Sequence, residues 1–309
     1  MPKSIIKRFS IGNQVKLFDT AGFQLQERSN PKSIFYVDHL YSRWKSDGSR
    51  DSSIEQELQI DHENDLKDFI DTLLDRIQRQ DIYAVNLDER KFLVKLCLRL
   101  LFRNPAFVDS FFGNWRFKAA KVLYWLRLNL SPRAISSIRL SKLSPMEAAQ
   151  AELRAHAATV DLSKIVSAIE ATHKITFICP QNEQPSFILG SQPCLLQRKK
   201  WFLNDKNEWD SEIGRMEIYA VLDPRLMVGV VSLDEVELVQ FIQREDVQRI
   251  NGLIVKYSEE IVAKSVSDLE GAWYRIFDGE EEVRERKKLP TQTELVQLTL
   301  PKASREKTE

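Results

Sequence analysis

The apolar residues of this chain change period twice along its length, and no other feature limits its fold as strongly. In the first 45 residues they alternate. Gln14-Val-Lys-Leu-Phe-Asp and Phe23-Gln-Leu-Gln-Glu-Arg flank Thr20-Ala-Gly, the pattern of a hairpin that turns at Gly22. From Leu66 the apolar residues recur every three or four positions, through Phe69, Ile70, Leu73, Leu74 and Ile77, which is the period of an amphipathic helix. A polar hinge at 45–52 separates the two regimes, and Ser52 or Ser53 can cap the helical stretch after it. Asp88-Glu89 opens a second helical run through Phe92, Leu96, Cys97, Leu100 and Leu101, which Asn104-Pro105 interrupts because proline lacks a donor and restricts its predecessor. Helical spacing also covers 115–128 and 144–173, the latter divided near Asp161.

Strand-like runs return at 175–180, 186–190, 216–222 and 226–232. From Asp234 the spacing of Val239, Ile242, Ile250, Ile254, Tyr257 and Ile261 predicts one long helix over 234–265. The expected fold class is therefore α+β. A helical central region of about four helices is inserted between N-terminal and C-terminal strand regions, which join in one mixed or antiparallel sheet. Residues 1–278 are expected to form one domain, with strands in 1–45, helices in 52–173, strands in 174–232 and a long helix in 234–265. Residues 279–309 read as a charged, solvated tail.

Composition narrows function. The chain carries 45 basic and 45 acidic residues, a formal net charge of zero, so no global field gathers nucleic acid or anionic membrane. It has 10 glycines in 309 residues and lacks both G-x-G-x-x-G and the phosphate-binding G-x-x-x-x-G-K-[ST] loop. No apolar run approaches the ~20 residues of a membrane-spanning helix, and the first ten residues lack a signal-type apolar stretch. Cys97, Cys179 and Cys194 are unclustered, so neither a disulfide framework nor a zinc site is expected, and the reading is cytoplasmic. His39, His62, His156 and His173 are scattered without ligand spacing. No metal and no cofactor are expected.

Several segments, in order, resemble one bacterial family, domain-of-unknown-function family 4238. Pro2 followed by Ile5-Ile6-Lys-Arg-Phe9 is similar to its opening element, although no His-aromatic pair precedes Pro2 here. The hairpin at 14–28 and Asn30-Pro-Lys-Ser-Ile-Phe-Tyr come next. Ile54-Glu55 with Glu63 resembles the family's glutamate-bearing first helix, and Arg103-Asn-Pro105 its Arg-x-Pro. Phe187-Ile-Leu-Gly-Ser-Gln-Pro193 stands where the family carries a strand ending in Ser-Asp-Asn-Pro. Ser191 therefore replaces the Asp and Gln192 the Asn. Leu222-Asp-Pro224 resembles a Leu-x-Pro element, and Asn251 falls where members carry Asn.

The candidate site residues are thus Glu63, Arg103, Ser191, Gln192 and Asn251. Each has a structural alternative. Ser191-Gln-Pro193 is either a turn fixed by proline or a polar edge of a cleft. Arg103 either clamps an anion or pairs with a helix carboxylate such as Glu63. Asn251 either points into a cleft or bridges a neighbouring strand. Arg198, Lys199, Lys200 and Trp201 form the one basic-aromatic patch, suited to single-stranded nucleic acid or to an ordinary loop. A serine cannot replace a carboxylate as a base. The favoured reading is accordingly a cytoplasmic binding or accessory protein, by analogy a stress or phage-defence effector, with a polar cleft and a protein partner. The alternatives are a hydrolase or nuclease acting on a phosphate-containing substrate, with Glu63 as base and Arg103 as phosphate clamp, and a nucleic-acid-binding module.

Overall fold

The computed structural model describes residues 2–11, 14–20, 24–28, 34–35, 43–44, 50–51, 63–82, 84–104, 107–108, 136, 151, 154–155, 161–182, 185–198, 216–232 and 237–268. The helical stretches expected at 115–128 and at 144–160 fall almost wholly outside these residues, as do His39, His62, His156 and the tail at 279–309.

Helix α1 (Lys3–Arg8) opens the chain, in place of the strand expected there. Pro2 takes an extended N-cap conformation, and its carbonyl accepts from the N–H groups of Ile5 and Ile6. Ile5, Ile6 and Phe9 then lie on one buried face, a helical spacing too short to stand out from the alternation after it. The hairpin forms as read, β1 (Val15–Asp19) pairing antiparallel with β2 (Gln24–Arg28). A short pair comes next, β3 (Arg43–Trp44) and β4 (Arg50–Asp51).

Helices α2 (Glu63–Gln78) and α3 (Leu87–Phe102) succeed them. Leu66, Ile70, Leu73, Leu74 and Ile77 form the buried stripe of α2, as their spacing required. The helix ends in a Schellman motif: Asp81 N–H bonds Arg76 O and Gln80 N–H bonds Ile77 O. Gln80 there adopts φ 55°, a left-handed conformation usually given to glycine. Helix α3 starts at a capping box. Asn86 Oδ1 accepts from Glu89 N–H at 2.9 Å, and Glu89 Oε2 accepts from Asn86 N–H at 3.1 Å. Arg76 donates to Glu89 Oε1 at 2.5 Å and to Ala84 O at 3.2 Å, so one guanidinium spans the α2–α3 connection.

Helix α4 (Ser163–Thr172) leads directly into β5 (His173–Pro180). Arg90 of α3 donates to the carbonyls of Glu170 and His173, placing a cation at the C-terminal end of α4. Then come β6 (Leu189–Gly190), β7 (Cys194–Arg198), β8 (Met216–Asp223) and β9 (Leu226–Ser232). The 234–265 segment is not one helix. It comprises β10 (Val239–Ile242), α5 (Arg244–Tyr257) and β11 (Glu260–Ala263). The apolar spacing holds through α5, but two sheets capture its flanks. β10 joins β5 in parallel, and β11 joins β1 antiparallel. Tertiary pairing overrides a period that two short strands and a helix reproduce by coincidence.

Two larger sheets result. One is antiparallel, in the order β2-β1-β11-β6, and it does join the N-terminal and C-terminal strand regions. The other is mixed, in the order β10-β5-β9-β8-β7, and holds most of the C-terminal strands separately. Helix α3 packs against β5, β7, β8 and β9. Register places Phe177, Val228, Ala220 and Cys194 side by side on one sheet face, and Cys194 Sγ lies 3.7 Å from the Cys97 carbonyl of α3. Leu93, Val94, Leu98, Leu100 and Leu101 of α3 are almost wholly buried. Each such side chain contributes about 1.5–3 kcal/mol of burial free energy. On the opposite face Gly229 leaves room for the Tyr219 ring. A Cβ at Gly229 would come 3.0 Å from that ring and 2.8 Å from Thr176 Cγ2.

Candidate functional site

Of the segments that carry the family resemblance, Leu222-Asp-Pro224 and Asn251 meet residues 186–193. Only Leu189 and Gly190 of this stretch pair as a strand, so the preceding backbone donors must find other partners. Ser186 N–H bonds Asp268 Oδ1 at 2.8 Å, Phe187 N–H bonds Pro224 O at 2.8 Å, and Ile188 N–H bonds Asn251 Oδ1 at 3.2 Å. Three separate parts of the chain thus receive three consecutive donors.

Asn251 sits on α5 with 0% exposure. Besides accepting from Ile188, its Nδ2 donates to Ser186 O at 2.8 Å and to Asp268 O at 3.3 Å. The amide oxygen and both amide hydrogens are engaged with backbone. Asp268, also buried, completes the knot by accepting from Ser265 N–H at 2.9 Å through its second oxygen. These bonds tie α5 to residues 186–188 and to Asp268.

Ser191 and Gln192 form the turn after β6. Ser191 N–H bonds Glu260 O at 2.8 Å, and Ser191 Oγ accepts from Glu259 N–H at 3.1 Å and, more weakly, from Glu260 N–H at 3.5 Å. Gln192 N–H donates to Ser258 Oγ at 3.4 Å. From the other side Thr20 Oγ1 donates to the carbonyls of Ser258 and Glu259 at 2.9 and 2.8 Å, and Thr20 N–H bonds Glu259 O. The Ser258–Glu260 crossing is therefore held by a hydroxyl on each flank. Gly190 is obligatory here, because a Cβ would lie 2.0 Å from Ser258 Oγ and 2.8 Å from Ile254 Cγ2.

The oxygen of Ser191 does what one carboxylate oxygen would do at that position: it accepts backbone N–H groups. A serine, where the resemblance expects Asp, offers an acceptor and carries no charge. Gln192 is half-buried, and among the described residues its side-chain amide makes no hydrogen bond.

The opening element and Leu222-Asp-Pro224 also meet. Arg8 Nε lies 3.2 Å from Asp223 Oδ2, and the same guanidinium donates to Asp71 Oδ1 of α2 at 2.7 and 2.5 Å. Asp223 Oδ1 accepts from Arg225 N–H at 2.9 Å, closing the β8–β9 turn. A second group, which the sequence does not reveal, lies on β8 and β9. Buried Glu217 accepts from Tyr219 Oη–H at 2.9 Å and from Ser232 Oγ–H at 3.1 Å. Burial, and then the Glu217 charge, pushes the Tyr219 hydroxyl well above its ordinary pKa. Alternation along β8 marks these positions as strand; nothing in it marks them as polar partners.

Glu63 begins α2, and its side chain lies outside the described residues. Arg103 is the half-buried C-cap of α3, on the helix that covers the mixed sheet. Arg198 ends β7; its side chain, and the whole of Lys199, Lys200 and Trp201, lie outside the described residues.

The thiols are unreactive by environment. Burial pushes Cys97 and Cys179 up to about 12, the nearby Asp223 charge adding to the second, and burial also raises Cys194. Among the described residues no group of three or more His, Cys, Asp or Glu side chains is placed to hold a metal ion, and no helix is long and apolar enough to cross a membrane.

Comparison with curated proteins and with solved structures gives no match. A family model does match. It is described as "Protein of unknown function (DUF4238)" and aligns with residues 1–268, which covers every element described above. The chain belongs to that family.

Proposed function

We propose that this protein is a binding protein of the bacterial cytoplasm, an accessory or defence effector, and not a hydrolase built on its Ser-Gln-Pro turn. The observation that carries this reading is the engagement of Ser191 Oγ and of the whole Asn251 side chain with backbone groups. A base or a ligand must present its lone pair to a substrate or an ion, and these have already presented theirs to N–H groups. The three raised thiols support the same reading, since none is poised as a nucleophile.

We assign recognition to the outer surface of the turn, which carries the half-buried Gln192, its backbone N–H bonded to Ser258 Oγ, and the exposed Glu259, its backbone N–H bonded to Ser191 Oγ. A neutral amide and a carboxylate on one turn suit a partner offering donors, such as a polar protein surface, better than a phosphate.

The experiment restores the carboxylate. Ser191→Asp and the wild type are titrated with Mg²⁺ and Mn²⁺ by calorimetry and assayed against single- and double-stranded nucleic acid and a generic phosphodiester. The proposal expects neither heat of site binding nor hydrolysis from either protein. Metal-dependent hydrolysis gained by Ser191→Asp would overturn it and identify a hydrolase site that has lost its charge.

A further inference from the structure

Among the described residues, Gln80 (φ 55°) and Phe35 (φ 53°) are the non-glycine positions with a left-handed backbone. Gln80 takes it to end α2. No described helix ends at Phe35, and for so bulky a side chain a positive φ is an outlier with a steric cost. Such a conformation persists only where its surroundings over-determine it. Two contacts do so here. Phe35 N–H donates to Glu260 Oε2 at 3.2 Å. The half-buried Phe35 ring packs against the core, next to Ile34, which is buried.

The backbone of Glu260 is fixed independently of Phe35. Glu260 opens β11 and pairs with Asp19 of β1, and its carbonyl accepts from Ser191 N–H at 2.8 Å. The half-buried side chain is the part that can hold or let go. A carboxylate acceptor makes a bond roughly twice as strong as a neutral one, which is what a strained donor needs to stay in place.

We propose that Glu260 and Phe35 form a latch. The carboxylate pins the Phe35 backbone in its strained state and keeps the ring on the core. Without that acceptor the backbone relaxes to negative φ and the ring leaves the core. The latch lies one residue from the exposed Glu259, on the strand that anchors Ser191, so its release remodels the surface beside the Ser191-Gln192 turn. It operates whatever that turn binds.

Nuclear magnetic resonance of the full chain tests this, reading the sign of φ at Phe35 from backbone shifts and couplings and the exchange rate of its amide. Wild type is compared with Glu260→Leu, which removes the acceptor, and with Glu260→Gln, which keeps an acceptor without the charge. The expected result is a positive φ and a protected amide in the wild type. Glu260→Leu should show a negative φ and exchange roughly tenfold faster, and Glu260→Gln should fall between them, with the β1–β11 ladder unchanged in all three. If Glu260→Leu disturbs the ladder, Glu260→Thr decides, since threonine suits a strand and is too short to reach Phe35. A positive φ with exchange within about threefold of the wild type in the variant lacking the acceptor would overturn the proposal. So would faster exchange throughout β1 and β11 in both the leucine and threonine variants, since Glu260 would then hold the sheet and not Phe35.

Discussion

Asn251 and Ser191 show how much a residue's meaning depends on what its neighbours need. Residues 186–188 leave the strand ladder, and each buried N–H without a partner costs about 1–3 kcal/mol. Asn251, Asp268 and the Pro224 carbonyl meet that need. Ser191 does the same for Glu259, at a more exposed place. Ser191→Ala should therefore lower unfolding free energy by about 1 kcal/mol, measured by urea denaturation. Cys97 adds a pH dependence. Its folded thiol titrates near 12 and its unfolded thiol near the ordinary value of 9.0. The raised folded value means that stability is fully present below pH 9 and declines as pH climbs toward 12. Between about pH 8 and pH 10.5 the wild type should lose about 2 kcal/mol more than Cys97→Ala. Parallel losses in the two proteins would remove the burial argument for Cys97.

At the scale of elements, the end of α2 is a place where the sequence is not optimal. Gln80 holds the left-handed position of a Schellman motif with a side chain that disfavours it. Gln80→Gly should stabilise the protein by about 0.5–1 kcal/mol, seen as a higher urea midpoint with an unchanged slope. Gly190→Ala should do the reverse, costing about 1–3 kcal/mol, because its methyl group would overlap Ser258 Oγ and Ile254.

Legibility also varies by element. Helices α2 and α3 are readable because each carries a long one-sided apolar stripe, and β1–β2 and β8–β9 because alternation or an unbroken apolar run meets a clear turn. Helix α1 is hidden by its length of 6 residues. The division of 234–265 is hidden because Val239, Ile242 and Ile261 fit a helical period that only the presence of β5 and β1 overrules. The candidate residues Ser191, Gln192 and Asn251 stand out by family position, but their meeting at one junction shows only in the folded chain. Their bonding partners Ser258 and Asp268 are not legible in the sequence, nor is Thr20, which bonds Ser258 in turn, since a lone Thr, Ser or Asp in a loop carries no spacing to read.

For the whole molecule, several of the segments that carry the family resemblance meet at the seam between two sheets. Arg8 reaches Asp223, Phe187 reaches Pro224, Ile188 reaches Asn251, and Ser191 reaches Glu259. In this chain these positions are joints of the fold. These polar groups hold the seam. Asn251 is the sharpest probe of that role, because it is fully buried and makes three of the bonds. Equilibrium urea unfolding of Asn251→Leu, a change of similar volume, should show a loss of about 3 kcal/mol from the stranded Ile188 N–H and the carbonyls of Ser186 and Asp268. A stability within about 0.5 kcal/mol of the wild type, the range of an ordinary surface substitution, would mean that the seam does not depend on these bonds.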